Sequence, residues 1–299
     1  MARDNTPSID SPTLPCSVSD ERRDRFRMLC GSDNLCELPR ERCGINVYGE
    51  KRMHTVLKHF YCSDPNCHEI KLATCVKTAE QTPALPRRVT DRLVADVLTR
   101  EGEIIEIQTG SLRPLTQKIH YYLCATDYRV TVVHPVVATR WLRWMDPDSG
   151  EVSARRRSPR RGQLMDVARE LYYIAPFLAE PRFCLRVPLL EAEEIRLKNG
   201  WSRDGKRGSE RYSYVPLSLL GEAVLDSPQQ YADCFLPSEE QLPSPFTAAE
   251  YARASGIRGR ATYGLLQILC DLCYLTPAAR RGRAGTWERL NPDTKIIRY

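Results

Sequence analysis

The stretch RLVADVLTREGEIIEIQTG, residues 92–110, decides the fold class. Runs rich in Val, Ile and Leu stand on both sides of the dipeptide Glu101-Gly102, which is a typical turn signal. Each run has the length and the β-branched content of a strand. The pattern therefore predicts two strands joined as a hairpin.

Charged side chains interrupt both of these predicted strands. Asp96 lies in the first strand and Glu106 in the second, and Gln108 follows Glu106 at i+2. Because residues two positions apart share a face of a strand, Glu106 and Gln108 point the same way, and pairing as a hairpin brings Asp96 to that face. Two neighbouring carboxylates suit Mg²⁺, which is held by one or two carboxylates together with water and phosphate oxygens. The pair predicts metal-assisted hydrolysis of a phosphodiester.

Flanking segments extend the hairpin into an α/β core. EKRMHTVLKHFY (50–61) has the apolar spacing of an amphipathic helix, and HEIKLATCV (68–76) alternates like a half-buried strand. After the hairpin, Ser111 is expected to cap a helix over 112–126, with a proline in its first turn. The β-branched run RVTVVHPVV (129–137) indicates a buried strand. The predicted order is helix, three strands, helix, strand.

This order resembles the PD-(D/E)XK nuclease core of restriction enzymes and Holliday junction resolvases. The resemblance rests on Asp96 followed by Glu106-Ile107-Gln108 and spans roughly residues 45–140. The strings LVADVL, IIEIQTG, VVHPV and RRRSPRRG are also similar to a bacterial family that joins such a core to a C-terminal winged helix. The expected fold is therefore α/β, with a restriction-endonuclease-like αβββαβ core.

The resemblance also implies roles for individual residues. Asp96 and Glu106 would bind the metal, the carbonyl of Ile107 would complete the site, and residue 108 would orient or activate the water. The superfamily usually has lysine at that place, whereas Gln108 can hydrogen-bond a water or phosphate but supplies no charge. Lys118, on the next helix, is the expected substitute.

Some members of the superfamily add a further acid. Glu50, at the start of the first helix, is the preferred candidate for it, and Glu69 in the first strand is the second. The implied cofactor is Mg²⁺ or Mn²⁺, without a small-molecule cofactor. A homodimer is compatible with this fold, since many such nucleases act as dimers, but the sequence identifies no self-complementary surface.

From Pro245 the pattern changes to helix, turn, helix and basic hairpin. Thr247 and Glu250 form a capping-box pair that opens the first helix. The second helix is predicted over 258–275 and a basic pair of strands over 279–290. This is the plan of a winged helix-turn-helix domain, whose second helix normally lies in the major groove of DNA.

These patterns divide the chain into four parts. The predicted parts are an N-terminal arm, partly disordered, over 1–44, a nuclease-like domain with a basic extension over 45–195, a connecting segment over 196–244, and a winged-helix domain over 245–299. A chain of 299 residues with 42% hydrophobic residues is long enough for about two domains of this kind.

Basic residues are concentrated in two places, although the net charge of +6 is modest. Residues 155–161 hold five arginines in seven positions, a density that favours contact with a phosphate backbone over a merely solvated loop. The predicted winged helix holds the second group, with Arg280 among it. The candidates for DNA contact are Arg155, Arg156, Arg157, Arg160, Arg161, Arg258, Arg260, Arg281 and Arg283.

The sequence contains no apolar run of transmembrane length, and the start MARDNTPSIDSPTLP lacks the charged and apolar regions of a signal peptide. We therefore expect a cytoplasmic protein whose twelve cysteines are mostly reduced core thiols. Cys62, Cys67 and His68, with Cys30, Cys36 and Cys43 upstream, lack the paired C-x₂-C spacing of zinc sites, so zinc is not the expected cofactor. Cys270 and Cys273 have that spacing, but within a predicted apolar helix, where packing explains them.

Three hypotheses on function follow, and DNA is the expected partner in the first two. The first is a magnesium-dependent deoxyribonuclease. The second is a non-catalytic DNA-binding protein, such as a regulator, that keeps the nuclease fold as a scaffold. The third is an interaction subunit whose winged helix docks a protein, which predicts weak DNA affinity with little salt dependence.

Overall fold

The computed structural model describes residues 17–32, 48–72, 93–146, 148–200 and 208–290, with the side chains at 48–51, 199–200 and 208–213 excepted. Predictions about the first 16 residues, Cys36, Cys43 and the end of the segment 68–76 lie outside the described residues. Within these ranges, no helix has the length and apolar character needed to cross a membrane.

Helices and strands alternate through most of the described chain. The helices are α1 (Asp20–Gly31), α2 (Tyr48–Tyr61), α3 (Thr116–Ala125), α4 (Ala168–Ile174), α5 (Pro228–Phe235), α6 (Ala248–Ser255) and α7 (Arg260–Asp271). The strands are β1 (His68–Lys71), β2 (Val94–Leu98), β3 (Glu103–Ile107), β4 (Arg129–Val133), β5 (Val136–Met145), β6 (Arg156–Arg157), β7 (Phe183–Gly200), β8 (Gly208–Leu225), β9 (Phe246–Thr247), β10 (Leu275–Arg281) and β11 (Ala284–Arg289). The predicted α/β class is confirmed at this level.

Strands β1 to β8 form one mixed sheet. Antiparallel pairs join β1 to β2 and β2 to β3, and β3, β4 and β7 then run parallel to one another. β8 is antiparallel to β7, and β6 is antiparallel to β5. The parallel block places the carboxyl ends of β3 and β4 side by side, where ligand sites of open α/β sheets are commonly found.

Helices cover both faces of this sheet. α1 and α2 bury Phe26 and Leu57 against one face, together with Ile105 and Ile107 of β3. α3 and α4 pack on the other face, in the same core as Ile104. Because successive side chains of a strand alternate between faces, the residue between Ile105 and Ile107 faces α3.

The hairpin predicted from residues 92–110 is present. β2 and β3 pair antiparallel, with Val97 opposite Ile105. The amide of Thr99 donates to the carbonyl of Glu103 at 2.9 Å and closes the turn. Gly102 adopts a φ of 82°, a left-handed conformation that glycine reaches without a steric penalty.

The run RVTVVHPVV, predicted as one strand, is divided in two. β4 ends at Val133 and β5 begins at Val136, because Pro135 between them has no amide hydrogen to donate. Both strands still pair with β7 at one offset, since Val133 lies opposite Arg186 and Val136 opposite Leu189. The interruption therefore leaves both parts of the run beside the same strand.

The prediction that Ser111 caps α3 is wrong. A 3₁₀ turn over Arg113–Leu115 precedes the helix, and α3 itself begins at Thr116. The Ser111 hydroxyl accepts the amide hydrogen of Arg113 at 3.3 Å, at the start of that turn, and donates to Glu170 Oε2 at 2.9 Å. The same Glu170 oxygen accepts the amide hydrogen of Leu112 at 2.8 Å. Glu170 of α4 therefore ties the start of the α3 segment to α4.

The segment 196–244, expected only to connect two domains, is part of the sheet in its described portion. β8 pairs with β7, and each of these strands has 18 residues. α5 then buries Tyr231 and Phe235 in the core that faces α3 and α4. Charged residues within both strands concealed this pairing in the sequence.

The arginine stretch pairs with the long strand β5. β5 continues to Met145 as one strand of ten residues, and only an isolated bridge joins Met145 to Val152. β6 pairs with the middle of β5, with Trp141 opposite Arg157. Part of the arginine stretch is therefore strand, not loop.

The C-terminal elements follow the predicted order of helix, turn, helix and hairpin. β9 adds a third strand, giving the sheet order β10-β11-β9. Thr247 and Glu250 form the predicted capping box, and Gly256 ends α6 with a φ of 74°. α7 packs against α4, so the C-terminal unit shares its apolar core with the large sheet.

Candidate active site

The Asp96 carboxylate is fixed at the end of the β2–β3 ladder. The hairpin register, continued by one position, places Asp96 opposite Glu106. Asp96 Oδ2 accepts the amide hydrogen of Ile107 at 2.8 Å and lies 3.1 Å from His54 Nε2. The side chain is thus held by a neighbouring strand and by α2 at once.

Glu106 packs against α3. It is only 2% exposed, and it is one of the few charged residues inside the described core. Lys118 Nζ lies 2.7 Å from Glu106 Oε2, and the Tyr122 hydroxyl donates to Oε1 at 2.8 Å. Lys118 and Tyr122 are four residues apart and therefore share a face of α3.

The two carboxyl groups have opposite pKa shifts. Burial raises the pKa of Glu106 to about 7, and the Asp96 charge adds to this effect, while Lys118 and Tyr122 oppose it. Burial also acts to raise the pKa of Asp96, but hydrogen bonds from His54 and Ile107 and the charges of His54 and Lys118 outweigh it and lower that pKa. A pair of interacting acids with divergent pKa values is typical of functional sites.

Gln108 lies beside this cluster, although its side chain is engaged elsewhere. Gln108 Nε2 donates to the carbonyl of Ser111 at 2.8 Å. The Gln108 carbonyl accepts from His134 Nδ1 at 2.8 Å, and burial lowers the pKa of His134. Gln108 and His134 thus shape the loop that follows β3.

Glu50 and Glu69, the two further acids proposed from the sequence, lie in different elements next to the site. Glu69 is 60% exposed on its side chain and forms an ion pair with Lys58 of α2. Glu50 lies in the first turn of α2, four residues before His54, and its side chain is outside the described part. The β1–β2 register, with His68 opposite Val97 and Ile70 opposite Ala95, places the backbone of Glu69 opposite Asp96.

The arginine candidates differ in whether their side chains already contact other residues of the chain. Arg155 lies 3.3 Å from Glu193 and over the Trp141 ring, and Arg281 contacts both Glu250 and the Pro245 carbonyl at 2.8 Å. The others are exposed and form no ion pair within the described part of the chain. This unpaired group comprises Arg156, Arg157, Arg160, Arg161, Arg258, Arg260, Arg280 and Arg283.

The candidate site contains a pair of acids, without a larger set of metal-binding side chains around it in the part of the chain that the structure describes. In the described ranges, no group of three or more His, Cys, Asp and Glu side chains is arranged to hold a metal ion. His68 Nε2 instead bonds to the Cys62 carbonyl at 2.9 Å. The prediction that Cys270 and Cys273 pack on one helix face is wrong, because α7 ends at Asp271 and Cys273 is exposed.

Sequence reasoning missed two residues of the cluster. His54 lies on the polar face of α2, and the buried set Met53, Val56, Leu57 and Phe60 identifies the opposite face. Tyr122 is the other, since nothing in the sequence shows that its hydroxyl faces Glu106. The four-residue spacing from Lys118 was the available signal.

Two comparisons with known proteins give a match, and both are to uncharacterised sequences. A family described as "Domain of unknown function (DUF8091)" matches residues 87–226, a span that includes β2 through β8 and the Asp96, Glu106 and Lys118 cluster. The chain is also similar to an "Uncharacterized protein" of Treponema pallidum (strain Nichols), with 23% identity over 252 residues, 83% of this chain and 88% of that protein. No solved structure matches the chain.

Proposed function

We propose that this protein is a divalent-metal-dependent nuclease that hydrolyses phosphodiester bonds in DNA. The observation that carries this proposal is the meeting of Asp96, Glu106 and Lys118 beside the carboxyl end of β3. These are the acids and the substitute lysine that the resemblance to PD-(D/E)XK nucleases implies. The parallel strands β3 and β4 end at this place, as in other α/β ligand sites.

The donor atoms present fit Mg²⁺ or Mn²⁺. Both ions take oxygen ligands, and Mg²⁺ needs only one or two carboxylates from the protein. Asp96 and Glu106 would supply carboxylate oxygens, and Ile107 a main-chain carbonyl. When bound, such an ion supplies positive charge at the scissile phosphate.

The side chains of this chain would divide the remaining tasks. Lys118 would give up its contact with Glu106 and place its ammonium near the phosphate, supplying the charge that Gln108 lacks. Tyr122 would continue to hold Glu106 Oε1. The Gln108 amide would hydrogen-bond a water or a phosphate oxygen after releasing Ser111.

The unpaired arginines supply a means of holding DNA. Arg156, Arg157, Arg160 and Arg161 are exposed on and beside β6, and each is available to neutralise a phosphate. The C-terminal order of helix, turn, helix and hairpin supports a winged-helix domain with Arg258 and Arg260 near the start of its second helix. Charged residues also protect an edge strand from pairing with other chains, so the β6 arginines have a structural use as well.

A second function is favoured by the closed state of the cluster. Glu106 is nearly inaccessible, and both of its oxygens are already satisfied by Lys118 and Tyr122. A buried carboxyl group with a hydrogen bond to each oxygen can also have a purely structural role, which here is to hold α3 on the sheet. The alternative is therefore a non-catalytic DNA-binding protein that retains the nuclease fold as a scaffold.

Cleavage of supercoiled plasmid with Mg²⁺ or Mn²⁺ separates these functions. We expect nicking by the wild type, and a loss of at least about 100-fold in Asp96→Ala and in Glu106→Ala. Glu240→Ala is the control, because this exposed acid lies in the segment between α5 and β9, and it should cut normally. An EDTA sample tests the need for metal.

The remaining outcomes identify the alternatives. Equal nicking by all variants would show a contaminating nuclease. DNA binding without any cleavage would support the scaffold function. Weak binding that hardly changes between two salt concentrations would instead indicate that the C-terminal domain docks a protein.

A further inference from the structure

His54 contacts the candidate site through an atom that already has a second partner. Its Nε2 lies 3.1 Å from Asp96 Oδ2, and that oxygen also accepts the amide hydrogen of Ile107 at 2.8 Å. Two hydrogen bonds to one oxygen fix the plane of the carboxylate as well as its position. Asp96 Oδ1 is then the oxygen left to face a ligand.

α2 holds His54 firmly in this place. The helix buries Met53, Leu57 and Phe60 in the core beneath the sheet, which sets its rotation. One turn after His54, Lys58 forms an ion pair with Glu69 of β1. The helix therefore meets the β1–β2 edge with two polar contacts, and the first of them is to Asp96.

The His54 and Asp96 pair is partly shielded from water. The side chains are 27% and 17% exposed, so their hydrogen bond is stronger than a fully solvated one. The fold does not depend on it, however, because α2 is anchored by its apolar face. His54 contacts a candidate metal ligand, and this contact is not needed to hold α2 in place. Residues that orient the ligands of metal sites make contacts of this kind.

We propose that His54 is a positioning residue, which orients Asp96 so that the Asp96 and Glu106 pair is ready for a divalent cation. This inference rests on the proposed function, since it assigns Asp96 the role of a ligand. His54 itself touches neither the metal nor the substrate in this role. Its Nε2 is directed to Asp96, while Asp96 and Glu106 supply the oxygens.

The test uses the full chain and Mn²⁺ alone as the probe. Mn²⁺ affinity is measured by electron paramagnetic resonance, and plasmid nicking is measured in parallel. We expect His54→Asn, whose amide is too short to reach Asp96, to lose about 10- to 100-fold in Mn²⁺ affinity. His54→Gln places its amide near the position of Nε2 and should recover most of that loss.

His120→Ala provides a matched control. His120 is exposed on α3, its ring lies near Cys124, and the substitution should leave Mn²⁺ binding unchanged. Melting temperatures of the folded variants should stay close to that of the wild type.

Three results would contradict the inference in different ways. Wild-type affinity for Mn²⁺ in folded His54→Asn and His54→Gln would remove the role of His54 alone. A wild type that binds no Mn²⁺ and cuts no DNA would overturn the proposed function and the role of His54 with it. If His54→Asn does not fold, a folded His54→Gln with affinity reduced more than 100-fold would also contradict the proposal.

Discussion

The Lys118 ammonium lies 2.7 Å from Glu106 Oε2, although the two residues are twelve positions apart along the chain. Replacing Lys118 by Met removes the charge that opposes the raised pKa of Glu106. The Glu106 carboxyl group should then hold its proton at neutral pH and lose its value as a ligand. We expect plasmid nicking to fall about 100-fold or more in Lys118→Met at pH 7.

Two further measurements test this prediction. Lys118→Arg keeps the positive charge and should retain more activity than Lys118→Met. The nicking rate of Lys118→Met should also recover partly as the pH rises, because deprotonation of Glu106 then becomes favourable. A rate for Lys118→Met equal to that of the wild type would exclude a role for this lysine in catalysis.

The raised pKa of Glu106 predicts an unusual dependence of stability on pH. The ordinary pKa of this carboxyl group is 4.5, and burial raises it to about 7 in the folded protein. Between these values the folded state binds more protons at this site than the unfolded state. The contribution of Glu106 to stability is therefore present below pH 4.5 and is lost as the pH rises through 7.

Glu106→Gln should remove this loss, because the amide imitates the protonated acid. We expect the variant to be more stable than the wild type at pH 8, by at most about 3 kcal/mol, and similar to it near pH 4.5. Denaturant titrations at both pH values measure the difference. A variant that is less stable than the wild type at pH 8 would show that the ion pair with Lys118 outweighs burial. Glu106→Gln should also cut no DNA. A gain in stability together with a loss of activity is expected where a residue is kept for function at the expense of stability.

The unpaired arginines should contribute to DNA binding, whereas the arginines that already contact other residues should contribute to the stability of the fold. Arg160→Ala with Arg161→Ala should weaken DNA binding and lower the salt dependence by about one to two counterions, with little change in melting temperature. Arg281→Ala should instead lower the melting temperature, because it breaks contacts to Glu250 and Pro245, and should affect DNA binding less. Titrations of DNA at three salt concentrations, with thermal melts, separate the two effects. Equal salt slopes in all proteins would mean that these side chains do not contact phosphates.

Local sequence patterns predicted the elements of the site better than its contacts. The alternation of Val and Ile and the Glu101-Gly102 turn were sufficient for the β2–β3 hairpin, since register follows from the turn. The pairing of β8 with β7 was missed, because a pairing between distant segments leaves no local period and both strands carry charges. His54 was missed for a related reason. A polar residue on a helix gives no sign of the partner that tertiary packing brings to it.

Gly162 connects the arginine stretch to the sheet, and a substitution there tests whether that connection matters. Its amide donates to the Val137 carbonyl at 3.2 Å, and a Cβ at this position would lie 2.4 Å from the same oxygen. Backbone must therefore move in Gly162→Ala, at a cost of about 1 to 3 kcal/mol. Because Arg160 and Arg161 precede this glycine directly, the movement should also weaken DNA binding at temperatures where the protein is folded.

Gly264→Ala is the matched control for stability. Gly264 lies inside α7, and a Cβ there would meet nothing within 4 Å. Alanine is the better helix former by up to about 1 kcal/mol, so this variant should melt at or above the temperature of the wild type. Thermal melts of both variants check the contrast. If Gly162→Ala melts like Gly264→Ala and binds DNA like the wild type, the arginine stretch does not depend on close contact with β5, and its position on the sheet edge would not explain DNA binding.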